Sequence, residues 1–265
     1  MHAAWTSSPR RRTDQRARES VPRVASTSQT DSHPGVLPLR DMNPTRRKPV
    51  VTWALIAVSA LVFAYELSLS SEAATVFLAR YGVVPAVLTG GDLGVLRSEG
   101  GSLGGLITPL TSLFLHGGGL HLLGNMWFLH VFGDNVEDEL GRPQFLLFYP
   151  GAGLGAALFQ VAVDPSSLVP MVGASGAISG VLAGYVVLHP RAPVLTMVPI
   201  PLALFVEVPA FIFIFVWFAL QLVYGLLSAG GIGQGGVAWW AHVGGFLVGL
   251  LAITLHRKAV AARRA

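Results

Sequence analysis

Four uncharged polar residues stand inside apolar sequence: Ser175 in GASG (173–176), His242 in AWWAHVGG (238–245), and His121 and Asn125 in HGGGLHLLGN (116–125). Their types suit acyl transfer. A serine hydroxyl is a weak nucleophile until a base takes its proton, and a histidine is the usual base. The tetrahedral intermediate that follows carries an oxyanion, which needs preorganised donors. His121 and Asn125 are four residues apart, on one face of a helix. With the Ser175 N–H at a helix N-terminus, where free N–H groups and the positive dipole end lie, they are candidate donors.

Small residues bring the elements together. Gly176, Gly180 and Gly184 recur at four-residue spacing, as do Ala241, Gly245 and Gly249. Such faces let helix backbones approach closely. Ser175 precedes the first glycine of one ladder, and His242 follows the first small residue of the other. Glycine packing therefore puts Ser175 Oγ within reach of an imidazole nitrogen.

The elements that must position these groups read as membrane spans. Of 265 residues, 52% are hydrophobic and 12% charged, and the mean hydropathy is +0.58. A soluble domain carries about 25% charged residues. A spanning helix needs about 20 mostly apolar residues, and six stretches qualify: 50–69, 103–133, 144–163, 168–188, 202–229 and 237–255. They lack the alternation of a membrane barrel, so the expected fold is an all-α membrane protein, a six-transmembrane-helix bundle. The second stretch is broken at Gly117–Gly119. Residues 103–116 are expected as an irregular segment and the helix as starting near Gly119.

Ten of the 18 basic residues lie in 1–49 and four in 257–265; the apolar middle keeps only Arg80, Arg97, Arg142 and Arg191. Basic flanks mark the cytoplasmic side, which puts both termini inside. The second, fourth and sixth spans then run inward, and the four polar residues share one depth near the outer face. The expected organisation is a disordered basic arm (1–49), a six-helix domain (50–256) and a short basic tail (257–265). The bases form tails rather than a patch, so nucleic acid is not an expected partner despite a net charge of +4. Cysteine is absent, which excludes disulfides, CxxC sites and a cysteine nucleophile. No metal or cofactor is expected.

Each residue alone has a plainer explanation. A membrane serine commonly bonds a carbonyl four residues back, the expectation for Ser179. His130, His189 and His256 suit helix bridging or the interface. Glu66 and Glu207 sit near span ends and can snorkel, and Glu137–Glu139 beside Arg142 suits a solvated loop. A transporter would favour paired intramembrane carboxylates or inverted repeats, and neither is present. A common depth for His121, Asn125, Ser175 and His242 is left unexplained by these separate roles.

HGGGLHLLGNM (116–126), GASGAISG (173–180) and AWWAHVGGFLVG (238–249) together resemble the signatures of rhomboid intramembrane serine proteases, over about residues 50–255. The resemblance implies a six-helix rhomboid-like fold with a water-filled cavity opening to the outer face. Ser175 would be the nucleophile and His242 the base, with no third carboxylate; His121 and Asn125 would be oxyanion donors, and His116 would hold water. Gly173 and Gly176 support the serine. The fifth span, bulky at Phe211, Phe213, Phe215 and Trp217, would be the lateral gate, and Glu137 would anchor the loop between the first two spans. Some members place an aromatic on the base four residues after the nucleophile; here Ser179 stands there, leaving Trp239 or Trp240 to steady His242. The loop 90–105 lacks a Trp-Arg pair that some members carry, and is expected to be more mobile. A catalytically dead relative acting as a chaperone or adaptor would lack the Ser or the His, and both are present.

A helical substrate must unwind locally before attack. The expected reaction is cleavage after a small residue, near Gly or Pro, in single-span membrane proteins of the lipid bilayer. The expected location is the bacterial inner membrane.

Overall fold

The computed structural model describes residues 37–90, 107–198, 204–229 and 237–264. The chain is mostly helical. Its principal helices are α1 (Val50–Ser68), α2 (Ser71–Tyr81), α3 (Gly119–Leu140), α4 (Arg142–Val163), α5 (Ser175–Leu188), α6 (Ala210–Ala229) and α7 (Trp239–Arg264). Short helical turns occupy Pro85–Leu88, Thr108–Thr111 and Ser112–Phe114. In lipid every backbone N–H and C=O must be satisfied within the protein, which makes the helix the default for apolar sequence.

Among the described residues, four helices are long and apolar enough to cross a membrane: Val50–Ser68, Arg142–Val163, Ala210–Ser228 and Trp239–Arg264. α3 is long but carries Asp134, Glu137, Asp138 and Glu139 in its last two turns. α5 is apolar but has only 14 residues, or about 21 Å at 1.5 Å per residue. A hydrocarbon core is about 30 Å thick. The stretch 168–174 that was expected to begin this helix is not helical, and the helix opens at Ser175 itself.

Several expectations need correction. The fold is not purely α: Leu37–Asp41 (β1), Pro193–Val198 (β2) and Leu204–Pro209 (β3) form an antiparallel sheet in the order β1-β2-β3. β1 lies in the arm expected to be disordered, so order begins by Leu37; residues 1–36 lie outside the described part. β3 takes up the start of the expected fifth span, and Glu207 belongs to that strand rather than to a helix. Pro209 ends the strand and α6 follows at Ala210. The basic tail is no separate segment, because α7 continues through Arg257 and Lys258 to Arg264. The Gly-rich run 90–105 falls, beyond Gly90, outside the described residues. The break at HGGGLH is as expected: short helical turns precede it, and α3 starts at Gly119.

β1 is fastened to the bundle by polar contacts. Trp127 Nε1 donates to Pro38 O (2.5 Å). Asp41 Oδ2 accepts from Asn135 Nδ2 and from Tyr185 OH, each at 2.7 Å. Burial raises the Asp41 carboxyl above the usual carboxylate range, outweighing the lowering by Tyr185.

α1 depends on a buried acid. Its first residues follow Pro49, and the opening N–H groups of a helix have no intrahelical partners. Glu137 Oε1 accepts from Val51 N (3.0 Å), and Oε2 accepts from Thr52 N and Thr52 Oγ1 (2.8 Å each). A carboxylate is favoured at this positive end of the helix dipole. Glu137 is 3% exposed, so it is not part of a solvated loop. Its bonds among the described residues reach the start of the first span. Glu66 does not snorkel either: it is buried, and its carboxylate accepts from His116 N at 3.3 and 3.4 Å. Both ends of α1 are thereby joined to the polypeptide that carries HGGGLH. Glu137→Ala would orphan two N–H groups and a hydroxyl, at an expected cost of about 2–4 kcal/mol. Thermal melting of the purified protein in detergent measures it.

Candidate active site

α5 and α7 approach at their glycines. A Cβ on Gly245 would fall on the carbonyl of Gly176, and one on Gly249 would fall on the Gly180 backbone. α4 closes the third side: a Cβ on Gly176 would meet the Ala156 methyl, and one on Gly180 the Ala152 methyl. Gly184, the third glycine of the ladder, faces Phe148 and Val136 instead of α7. The close seam therefore covers two turns, at the end of α5 that carries Ser175.

Across this seam Ser175 Oγ lies 2.7 Å from His242 Nε2. Ser175 is the first residue of α5, where N–H groups lack intrahelical acceptors. The preceding Gly173 has φ +118°, in the left-handed region that disfavours side chains. A Cβ there would also stand 2.7 Å from His121 Cε1 and 2.8 Å from His121 Nε2. Glycine is thus required twice, by its backbone angle and by the imidazole beside it. That contact brings His121 to the chain just before Ser175. Asn125 Nδ2 would stand 3.6 Å from the same Cβ. Asn125 is buried, and its Nδ2 has no hydrogen-bond partner among the described residues.

His116 is 2% exposed, and its ring centroid lies 5.3 Å from that of His121, edge to face. Its Nδ1 is 3.3 Å from Phe114 O, while its Nε2 is buried with no partner among the described residues. Buried polar atoms are rarely left unpaired, so the donor Asn125 Nδ2 and the nitrogen His116 Nε2, an acceptor once Nδ1 donates to Phe114 O, are exceptions that call for a role. The seven residues singled out by sequence therefore fall into one neighbourhood: Ser175 against His242, His121 against Gly173, His116 against His121, with Asn125 beside Gly173 and Gly176 in the helix seam.

Ser179 behaves as an ordinary membrane serine: it is fully buried and its Oγ donates to Ser175 O at 2.7 Å. It does not reach His242. Trp239 meets the His242 ring edge to face at 5.9 Å, and Trp217 of α6 lies at 6.0 Å with a 38° tilt. Trp240 turns away to Phe159. Sequence reasoning missed the partner of the other ring nitrogen, Gln221 of α6, whose Oε1 is 2.8 Å from His242 Nδ1. The available signal was a single amide within the otherwise apolar FIFIFVWFALQLVYGLL. No group of three or more His, Cys, Asp or Glu suited to a metal ion occurs among the described residues.

Apolar helices with a serine, two histidines and an asparagine gathered beneath a glycine seam define a helical integral membrane protein with a buried polar site. Residues 103–259 match the Rhomboid domain, and the chain belongs to the rhomboid family. The matched stretch contains every residue of the site. Similar proteins include YdcA of Bacillus subtilis (strain 168), 36% identical over 140 residues, which are 53% of this chain and 62% of YdcA. Rhomboid protease AarA of Providencia stuartii is 31% identical over 153 residues, covering 53% of this chain and 52% of AarA. RHOMBOID-like protein 12, mitochondrial, of Arabidopsis thaliana is 31% identical over 172 residues, covering 58% and 48%. The chain thus spans less than two thirds of the length of these relatives.

The glycine seam makes a direct prediction. Gly245→Ala should destabilise by about 1–3 kcal/mol through overpacking and lower activity by moving His242 from Ser175. Gly151→Ala, with nothing within 4 Å of the added Cβ, should be neutral or stabilising by up to about 1 kcal/mol. Melting temperatures of the two variants, set beside the wild type, provide the comparison.

Proposed function

We propose that this protein is an intramembrane serine endopeptidase that uses a Ser175–His242 dyad on membrane-embedded or membrane-proximal segments of other membrane proteins. The observation that carries the reading is the 2.7 Å approach of Ser175 Oγ to His242 Nε2. Family membership and relatives such as rhomboid protease AarA support it.

In the proposed reaction His242 Nε2 takes the Ser175 hydroxyl proton as Oγ bonds to the scissile carbonyl carbon. The carbonyl π electrons move to oxygen. The Ser175 N–H, Asn125 Nδ2 and His121 would donate to that oxyanion. Collapse of the intermediate breaks the C–N bond, and His242 returns its proton to the leaving amine. Water, deprotonated by the same histidine, then hydrolyses the acyl-serine and releases the new carboxyl terminus. His116, buried beside His121, is suited to hold water at the site.

The proposed topology has six spans, α1, α3, α4, α5, α6 and α7, with both termini cytoplasmic, in a bacterial inner membrane. α5 covers only about 21 Å, so with its end near the inner surface Ser175 sits below the outer one. The acids of α3 and the basic end of α7 lie in last turns, which suits an aqueous inner face. Single-span proteins that unwind near Gly or Pro are the proposed substrates. α6, exposed along much of its length, is the proposed lateral gate.

Reconstituted into liposomes with a fluorescent single-span substrate, wild type should cleave it. Ser175→Ala and His242→Ala should lose at least about 10³-fold in kcat. A fluorophosphonate should label wild type and not Ser175→Ala. Cleavage that persists in Ser175→Ala would overturn the mechanism.

A further inference from the structure

The base is held by a second helix. His242 Nδ1 is 2.8 Å from Gln221 Oε1, and Gln221 is 7% exposed, deep in the packing of α6. Which amide atom faces the ring decides what the contact does. Gln221 Nε2 donates to Trp217 O, one turn back on the same helix, at 3.3 Å. That bond turns Oε1 toward His242. A carbonyl oxygen can only accept, so the imidazole must carry its proton on Nδ1. The other nitrogen, Nε2, then presents its lone pair to Ser175 Oγ at 2.7 Å. This is the tautomer a general base needs.

We infer that Gln221 is a positioning residue that sets the tautomer and ring orientation of His242 through Gln221 Oε1 and His242 Nδ1. The inference rests on the dyad proposed above. It goes further by giving the dyad a third, uncharged member from α6. When His242 takes the serine proton, its positive charge faces the Gln221 carbonyl dipole, which favours the charged form at the moment it arises. The position also fits what Ser179 leaves undone, since that side chain is committed to Ser175 O. Trp217 and Trp239 border the ring without supplying an acceptor in line with Nδ1. The facing titratable group is His121 of α3.

The placement on α6 has a consequence for substrate access. α6 is buried at Ala210, Phe213, Ile214, Gln221 and Gly225, while Phe211, Ile212, Phe215, Val216, Leu220, Val223, Leu226 and Leu227 are exposed. Gln221 is the polar member of its buried face. Displacing this part of α6 to admit a substrate would release His242 Nδ1, and return of the helix would restore the base. Access and activation are thereby joined in one hydrogen bond.

The test compares wild type, Ser175→Ala, Gln221→Met and Gln221→Glu in liposomes with the same fluorescent substrate. Methionine keeps the length and removes the acceptor; glutamate keeps an acceptor oxygen. Gln221→Met should lower kcat on the order of 10- to 100-fold with little change in KM. Gln221→Glu should recover most of that loss. Equal kcat in Gln221→Met and wild type, or loss carried by KM alone, would overturn the inference. A failure of Gln221→Glu to recover more than Gln221→Met would do the same. A measurement of the wild-type ring guards against a misfolded Gln221 variant. Histidine ¹⁵N spectra, with the His242 signals assigned by their loss in His242→Ala, should show Nδ1 protonated; an Nε2-protonated ring would refute the inference. Cleavage unaffected by Ser175→Ala would instead refute the dyad, an outcome distinct from a Gln221 effect of zero.

Discussion

The structure hinges on the distance between two helix backbones. α5 and α7 meet where Gly176 faces Gly245 and Gly180 faces Gly249, too close for a Cβ at either position of α7. Lipid supplies no hydrophobic drive between apolar helices, so association relies on close packing and interhelical hydrogen bonds. The seam provides the first, and the Ser175–His242 contact of 2.7 Å depends on it. Were the helices separated by an ordinary side-chain layer, a serine hydroxyl could not reach an imidazole on its neighbour. α4 reinforces the arrangement through Ala152 and Ala156, and through Val248 against Gly155 and Phe159 against Gly244. The site is thus the end of a three-helix packing solution.

The rest of the bundle satisfies polar groups that the apolar environment would penalise. Glu137 fills the opening donors of α1, and Glu66 near its other end accepts from His116 N. His116 in turn meets His121 edge to face, and His121 lies against Gly173. A chain of contacts thus runs from α1 to the backbone just before Ser175. The short helical turns at Thr108–Phe114 take part as well: Ser112 O accepts from Gly173 N at 2.9 Å. α1 thereby braces the segment that carries His116 and His121.

The sequence made the core of the site legible because its determinants are local. GASG, HGGGLH and AWWAHVGG each carry a small-residue spacing beside a polar group, and spacing reads directly as helix geometry. What it hid are features decided by tertiary partners. Glu137 and Glu66 read as surface acids because nothing nearby in sequence announces the N–H groups they meet. β3 read as helix because a short apolar run is ambiguous between the two. Pro199, Pro201 and Pro209, with the Val206–Glu207–Val208 alternation, were the available warning. α2 follows a serine, Ser70, whose Oγ accepts from Ala73 N at 3.3 Å. That capping pattern was visible, but it lay between spans where a loop was expected. Gln221 is separated from His242 by 21 residues, and no motif surrounds it.

Ser179 and Gln221 show how one structural demand can be met from different directions. A histidine base must be held in one ring orientation, because an imidazole that turns loses both its lone-pair alignment and its correct tautomer. An aromatic one turn after Ser175 would hold the ring from α5, by contact alone. Here α5 gives that position to a serine whose hydroxyl is spent on Ser175 O. The neighbouring face of His242 is bordered by Trp217 and Trp239, and its Nδ1 meets an amide from α6. Contact restrains a ring but does not select a tautomer; a hydrogen-bond acceptor does both. In the proposed mechanism this exchange would move control of His242 from the helix that carries Ser175 to a helix with few buried side chains. Gly225 shows how α6 is nevertheless seated: a Cβ there would lie 3.2 Å from the Trp240 ring and 3.5 Å from Trp239 Cβ. The start of α7 packs flat against α6 one turn beyond Gln221. The two tryptophans of AWWAHVGG thus have separate uses, Trp239 beside the base and Trp240 between α6 and Phe159 of α4. His242 is positioned where these contacts converge, so its ring orientation depends on α6 as much as its distance from Ser175 depends on the glycines.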